Sequence, residues 1–453
     1  MDTASVSTPK RARPFTLQLL LVTVVALVGR IIYVWFVKRD DNNLFKEGDA
    51  FFYSNVGIAL GRGDFFHNIF MDTPASDHPP LTVLVLGPTA VLFDDSILAQ
   101  RMTMAVIGAA AVFVIGLIGR QIAGNRAGLL AAGAAAIYPN LWVNDGLIMS
   151  ESISALTTAG LLLAGFRLAE SPTMRRALEA GLLCGLTVLA RAEVGLLLPL
   201  MIWPILAFAR SVPWKDRLAR MAVATVATAA VIAPWTAYNL TQYPEPVLIS
   251  LNDGTVLRGA YCDATFPDGD LVAGWSLDCV LASSDDTADP SVNAKMQREE
   301  GLDYARAHLS ELPELVVLRE GRTFGFFRPR EAVYINTGEG REQWISWWCW
   351  WSFWLAIPFA VYGLVVARRR GITLWPFAAT AVTAVVVSGA FYGLPRFRLP
   401  LEVSIAVLLG LAADGALRRL RPDDGSDSSE EPAPDPDDDR ALDPEPGLEK
   451  ATR

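Results

Sequence analysis

The sequence predicts an all-α polytopic membrane protein with about ten transmembrane helices, re-entrant or juxtamembrane helices in the first external loop, and a small mixed external lobe. Three observations carry this. The 453 residues are 52% apolar with a mean hydropathy of +0.31, a profile that a soluble chain of this length rarely shows. The apolar residues gather into runs of membrane-spanning length. Basic residues collect at every second turn between those runs, as they do on the cytoplasmic side of a membrane.

Lys10, Arg11 and Arg13 precede the first apolar run, and no small-residue cleavage site follows it, so 1–13 reads as a retained cytoplasmic N-terminus. The first span, 14–37, contains Arg30 towards its outer end. A charge there either snorkels to the interface or meets an anionic headgroup. A first external loop, 38–96, follows and includes the long polar stretch 47–81. Within it Asp49 opens a helical pattern in which Phe52, Val56, Ala59 and Leu60 share a face, and Asp77-His78-Pro79-Pro80 closes the stretch. The run 81–93 makes a helix only ~20 Å long against ~30 Å of hydrocarbon, so it is read as re-entrant or surface-lying.

Spans are then expected at about 97–119, 126–140, 145–167, 176–191, 194–210 and 220–236, completing an N-terminal transmembrane module over 14–236. If 81–93 does not cross, the clusters Arg120/Arg126, Arg167/Arg175/Arg176 and Arg210/Lys215/Arg217/Arg220 all fall inside. The turns 141–151 and 191–193 and the polar segment 237–345 then fall outside. That segment mixes Gly/Asp-rich turns with a helical stretch near 291–325, which suggests a small mixed lobe. Its two cysteines, Cys262 and Cys279, form either a disulfide or two free thiols, and the disulfide requires the lobe to lie outside the cytosol.

Six tryptophans crowd 344–354, fitting an aromatic belt at headgroup level or, less simply, a sugar-stacking surface. Spans at about 352–367, 372–391 and 399–417 form the C-terminal module 346–421, with Arg368, Arg369 and Arg370 inside and both termini cytoplasmic. Residues 422–453 hold 12 Asp/Glu against 3 Lys/Arg and almost no large apolar side chains, a composition expected of a disordered acidic cytoplasmic tail. The tail accounts for the whole net charge of -9. The remainder is neutral, so no domain-wide positive field exists to bind nucleic acid.

On this topology the outer face collects Asp49, Asp77, His78, Asp145, Glu151, Arg191, Glu193, Arg396 and Arg398 from turns far apart in sequence. Carboxylates orient and deprotonate a hydroxyl or hold a divalent metal, and arginines take phosphate bidentately. The combination suits transfer of a group from a phosphorylated membrane lipid. Each residue also has a plainer reading: Asp49 and Asp77 as helix caps, Glu151 as an interfacial acid, His78 as a structural ring, the arginines as headgroup contacts.

Over 14–417 the chain resembles the GT-C class of polyprenyl-phosphate-sugar-dependent glycosyltransferases, which includes protein O-mannosyltransferases and aminoarabinose transferases. The resemblance rests on the order and spacing of GDAFFY, DHPPL, SILAQRMTMAVIGA, MSES, LARAEVGLLLP, PWTAYNL, ISLNDGTVLRGAY and PRFRLP. It implies a catalytic or acceptor-orienting role for Asp49, further acidic sites at Asp77 and Glu151, and donor-phosphate contacts from Arg191, Arg396 and Arg398. His78, Asp145 and Glu193 would support them. A divalent metal, if one takes part, would bind Asp49 and Asp77. The chain departs from the pattern at Ala50, where a second acid is frequent, and at Tyr238, where an arginine is usual.

The implied reaction is inverting transfer of a hexosyl or pentosyl group, on the external face of the plasma membrane, from the lipid phosphate to a glycan, lipid or protein acceptor. The alternative is a transporter or flippase of a lipid-linked or anionic solute, which would place its acids near the bilayer midplane.

Overall fold

The computed structural model describes residues 14–41, 44, 48–68, 72–285 and 288–420; the N-terminal segment 1–13, Glu47 and the acidic tail 422–453 lie outside the described residues. Helix α1 (Phe15–Tyr33) buries Leu19, Ala26, Arg30 and Tyr33 on one stripe, while Leu20, Val24, Val25, Val28 and Ile32 face outward. A π-turn, Val34–Lys38, ends it.

Two short helices fill the first loop, α2 (Asp49–Gly61) and α3 (Leu81–Leu92), with a two-residue antiparallel pairing of His67–Asn68 and Thr73–Pro74 between them. At 12 residues α3 is ~18 Å long, too short to cross the hydrocarbon. It packs against α2 instead.

Next come α4 (Ile97–Ala123), α5 (Asn125–Ile137) and the single turn α6 (Pro139–Trp142). The side chain of Ser96 caps α4, accepting from the Ala99 amide. Small residues let α4 and α5 touch closely: a Cβ on Gly128 would lie 2.6 Å from the Gly116 carbonyl oxygen. Then follow α7 (Glu151–Glu170), α8 (Met174–Ala190), a broken helical stretch ending in α9 (Trp203–Ala207), and α10 (Trp214–Gln242). The closing helices of the bundle are α16 (Gln343–Arg369), α17 (Trp375–Ala390) and α18 (Leu399–Leu420).

Among the described residues six helices are long and apolar enough to cross a membrane. The other four expected spans are also helical but are short or broken: α5, α8, Ala192–Ala207 and α17. Helix α7 runs through the interior, where α4 and α8 pack on it.

Between α10 and α16 the lobe contains α11 (Asn252–Ala260), α12 (Leu277–Leu281), α13 (Pro290–Ala307), α14 (Leu312–Phe324) and α15 (Pro329–Gly338). The sequence suggests a mixed lobe, yet its described residues contain no strand. The Gly/Asp-rich segment forms turns pinned by side chains: Arg319 donates to the Ala260 carbonyl at 2.7 Å and Arg322 to that of Val272 at 2.7 Å. A disulfide joins Cys262 to Cys279. Arg319 also donates to the Gly389 carbonyl, tying the lobe to α17. Trp344, Trp348 and Trp351 are exposed as a belt requires, whereas Trp350 donates to the Gly325 carbonyl at 3.0 Å and so fastens the lobe to α16.

Arg30 departs from both expectations. It neither snorkels nor faces headgroups: it is 3% exposed, and its Nε lies 2.5 Å from the Asp145 carboxylate, which also accepts from Ser152. Removing one member of such a pair strands a buried charge. The carboxylate fits only because residue 108 lacks a side chain, since a Cβ there would meet it at 2.0 Å. Gly108→Ala is therefore expected to destabilise the fold by about 1–3 kcal/mol, read as a lower melting temperature in detergent. Unchanged melting would show that Asp145 is not tightly seated.

Candidate active site

The start of α2 sets the first acid in place. Gly48 takes φ +54°, a conformation that glycine adopts readily, and the helix begins at Asp49. Asp49 does not cap the helix. Its Oδ2 accepts from Arg396 Nη2 at 3.0 Å, and its Oδ1 lies 3.5 Å from His78 Nε2. The His78 ring packs against Phe52 and Tyr53, 5.0 Å between centroids in each case. The DHPP turn is held from α10: the Ser76 hydroxyl donates to Asn239 at 2.9 Å, and Tyr243 donates to the Pro74 carbonyl at 2.9 Å.

Glu151 lies in the first turn of α7, where the helix dipole favours an anion, and is 1% exposed. Its Oε1 accepts from Arg191 Nη1 at 2.9 Å and sits 3.7 Å from Arg396 Nε. Arg191, in extended conformation just past α8, also donates to Glu193 Oε1 at 2.6 Å. Arg396 lies in the 3-10 turn Pro395–Arg398 and donates through Nη1 to Glu339 Oε1 at 2.6 Å.

One network therefore unites Asp49, His78, Glu151, Arg191, Glu193 and Arg396. Asp77 borders it through His78, and no ion pair to Asp77 occurs among the described residues. Two residues fall elsewhere. Asp145 is committed to Arg30. Arg398 is buried over the Phe353 ring at 3.8 Å and donates to Glu402 and to the Thr323 carbonyl, while Glu402 also accepts from Tyr138.

The environments of the two loop acids diverge. Burial works against ionisation of Asp49, but the His78 and Arg396 charges outweigh it and bring its carboxyl down to about 2. Burial dominates at Asp77 and pushes its carboxyl above the usual range. Asp49 is thus held as an anion, and Asp77 keeps a proton more readily.

A cavity of about 510 Å³ opens beside the network. Its lining joins the ionisable His78, Arg191, Glu193, Asp253 and Arg396 to the apolar Leu196, Val256, Leu257, Phe391 and Phe397. The lobe contributes through α11, so the cavity lies where lobe and bundle meet. The size suits a small ligand with one charged end.

Sequence reasoning missed Glu339, Arg341 and Tyr53. Arg341 donates to Asn144 at 2.8 Å beside Glu151. Nothing in the run GEGRE sets Glu339 and Arg341 apart from ordinary surface charge. Tyr53 reads as one more aromatic in GDAFFY.

Residues 77–238 match the family described as dolichyl-phosphate-mannose-protein mannosyltransferase. Among solved structures, the archaeal oligosaccharyltransferase AglB from Archaeoglobus fulgidus, in complex with an inhibitory peptide and a dolichol-phosphate, matches with a TM-score of 0.53 at 15% identity, over 88% of this chain and 50% of that one. The chain shares the fold of this archaeal oligosaccharyltransferase.

It spans about half the length of the oligosaccharyltransferases it matches. A structure of the A. fulgidus enzyme with Zn and sulfate matches at TM-score 0.51 and 17% identity, over 88% of this chain and 49% of that one. ArnT from Cupriavidus metallidurans bound to undecaprenyl phosphate gives 0.41 at 17% identity, over 88% and 78%. No curated protein sequence matches. Among the described residues no group of three His, Cys, Asp or Glu is arranged to hold a metal, and Asp49 faces Arg396 and His78.

Proposed function

We propose that the protein transfers a sugar from a polyprenyl-phosphate donor to an acceptor hydroxyl or amine on the external face of the membrane, with inversion at the anomeric carbon. The observation that carries this is the pairing of Asp49 with Arg396, which lines the cavity together with Arg191, although 347 residues of sequence separate Asp49 from Arg396.

The acceptor oxygen or nitrogen attacks the anomeric carbon as the bond to the phosphate oxygen breaks. The lipid phosphate leaves with the electron pair, so no strong general acid is needed. Arg191 and Arg396 stabilise the departing charge. Asp49 orients the acceptor and takes up its proton. Glu151 fixes both arginines, and His78 fixes Asp49. Arg398, expected from the resemblance to touch the phosphate, acts here by holding the turn that carries Arg396.

Release of labelled polyprenyl phosphate from a lipid-linked sugar by purified protein, with the sugar appearing on an acceptor, tests the reaction. Binding of the lipid without turnover over any acceptor would favour the transporter. The disulfide supports an extracytoplasmic lobe. In a variant lacking Cys184 and Cys349, a cysteine at exposed Ser310 is expected to react with an impermeant thiol reagent added outside intact cells. Labelling only after lysis would place the site on the cytoplasmic face.

A further inference from the structure

We propose that Glu339 holds the place of the donor phosphate on Arg396 and is displaced when the donor binds, which makes it a positioning residue of the anion site. The proposal rests on the lipid-phosphate reading above. It begins from a charge imbalance. Asp49, Glu151, Glu193 and Glu339 gather about Arg191 and Arg396, with His78 beside Asp49 and Arg341 near Glu151, and every ion pair of the two central guanidiniums runs to one of these four carboxylates. A phosphate brought beside four carboxylates is repelled, and neither arginine has its fork free to receive it. One acid must give way.

Three of the four are poor candidates. Asp49 is fixed by the start of α2 and by His78. Glu151 is 1% exposed within α7 and serves both arginines. Glu193 pairs with Arg191 rather than Arg396.

Glu339 differs in each respect. It follows α15 and stands between Gly338 and Gly340, the latter at φ +83°. Nothing lies within 4 Å of where a Cβ on Gly338 would be, so the backbone there has room and conformational freedom. Only Oε1 of Glu339 is satisfied; Oε2 is buried without a hydrogen-bond partner, as is Arg396 Nε. The contact thus leaves one buried carboxylate oxygen unpaired, and a phosphate, with more acceptor oxygens, can take Nη1 in its place without burying an unsatisfied acceptor. The neighbouring residues are anchored independently. Arg341 donates to Asn144 and Asn336, and Glu342 pairs with Lys38 at 2.7 Å and accepts from Tyr33. Displacement is therefore confined to the Glu339 side chain and the Gly338 side of its backbone, since the Gly340 carbonyl is itself held by Lys38.

The test is binding of a polyprenyl phosphate, and separately of the uncharged polyprenol, to full-length wild type, Glu339→Gln, Arg396→Ala and the double variant in nanodiscs. Gln keeps the size and the acceptor oxygen but removes the charge. Glu339→Gln is expected to bind the phosphate lipid about tenfold tighter, to bind polyprenol as wild type does, and to lose the gain when Arg396 is Ala. Equal or weaker phosphate binding by a folded Glu339→Gln protein overturns the proposal while leaving the lipid-phosphate reading standing. Tighter binding of both lipids also overturns it, because that result reports a looser cavity. Failure of all four proteins to bind the phosphate lipid removes the lipid-phosphate reading and the proposal with it.

Discussion

Asp49→Asn is expected to lower sugar transfer by about 10²–10⁴-fold, the range for losing a positioned proton acceptor, with the melting temperature close to that of wild type. The substitution preserves size and one acceptor oxygen. Donor affinity should hold or improve, because Arg396 loses one of the carboxylates that compete with phosphate. The plainer role is distinguishable: the cap of α2 is Gly48, and no side-chain cap bond is formed, so a defect in helix initiation cannot explain a loss of turnover. Measured transfer rates beside donor-binding curves decide the matter. Full activity would return Asp49 to a structural acid.

Arg396 carries the second large effect. A charge-assisted hydrogen bond contributes ~1.5–3 kcal/mol, so Arg396→Ala should weaken polyprenyl-phosphate binding roughly tenfold to more than a hundredfold. Arg396→Lys keeps the charge but not the planar fork that now reaches both Glu339 and Asp49, and its affinity should fall between the two. The Ala variant also leaves Asp49, Glu151 and Glu339 with less counter-charge, so it should melt lower, whereas its affinity for uncharged polyprenol should not change. Unchanged phosphate-lipid affinity in both variants would take the phosphate off this face.

Much of the architecture could be read from the sequence because a bilayer leaves the chain few options. Long apolar runs must be helices, which is why all ten expected spans fall on helical segments. The same reasoning kept α3 from being counted as a crossing. It failed in the lobe, where Gly/Asp-rich turns such as those at 262–276 show no periodicity that separates a strand from a loop pinned by Arg319 and Arg322.

The site divides in the same way. Asp49, Glu151, Arg191 and Arg396 stood out because a charge beside an apolar run is costly and therefore noticeable. Glu339 did not, since its pairing with Arg396 spans 57 positions and nothing local marks it. Arg30 is read by depth and Arg398 by its turn and motif, whereas what holds them is a distant acid for Arg30, Asp145, and for Arg398 the Thr323 carbonyl and Phe353 ring beside the nearby Glu402.

The Arg30–Asp145 pair also has a consequence for biogenesis. The two residues lie 115 positions apart, so α1 emerges from the ribosome well before its partner exists. At ~5–20 residues per second the delay is on the order of ten seconds. Until then α1 enters the bilayer with an unmatched guanidinium, at ~2.5–3.5 kcal/mol on insertion scales. During that interval the nascent helix should linger at the translocon or beside an insertase, so a truncated chain ending before residue 145 should crosslink to that machinery, whereas one reaching the end of α7 should be released.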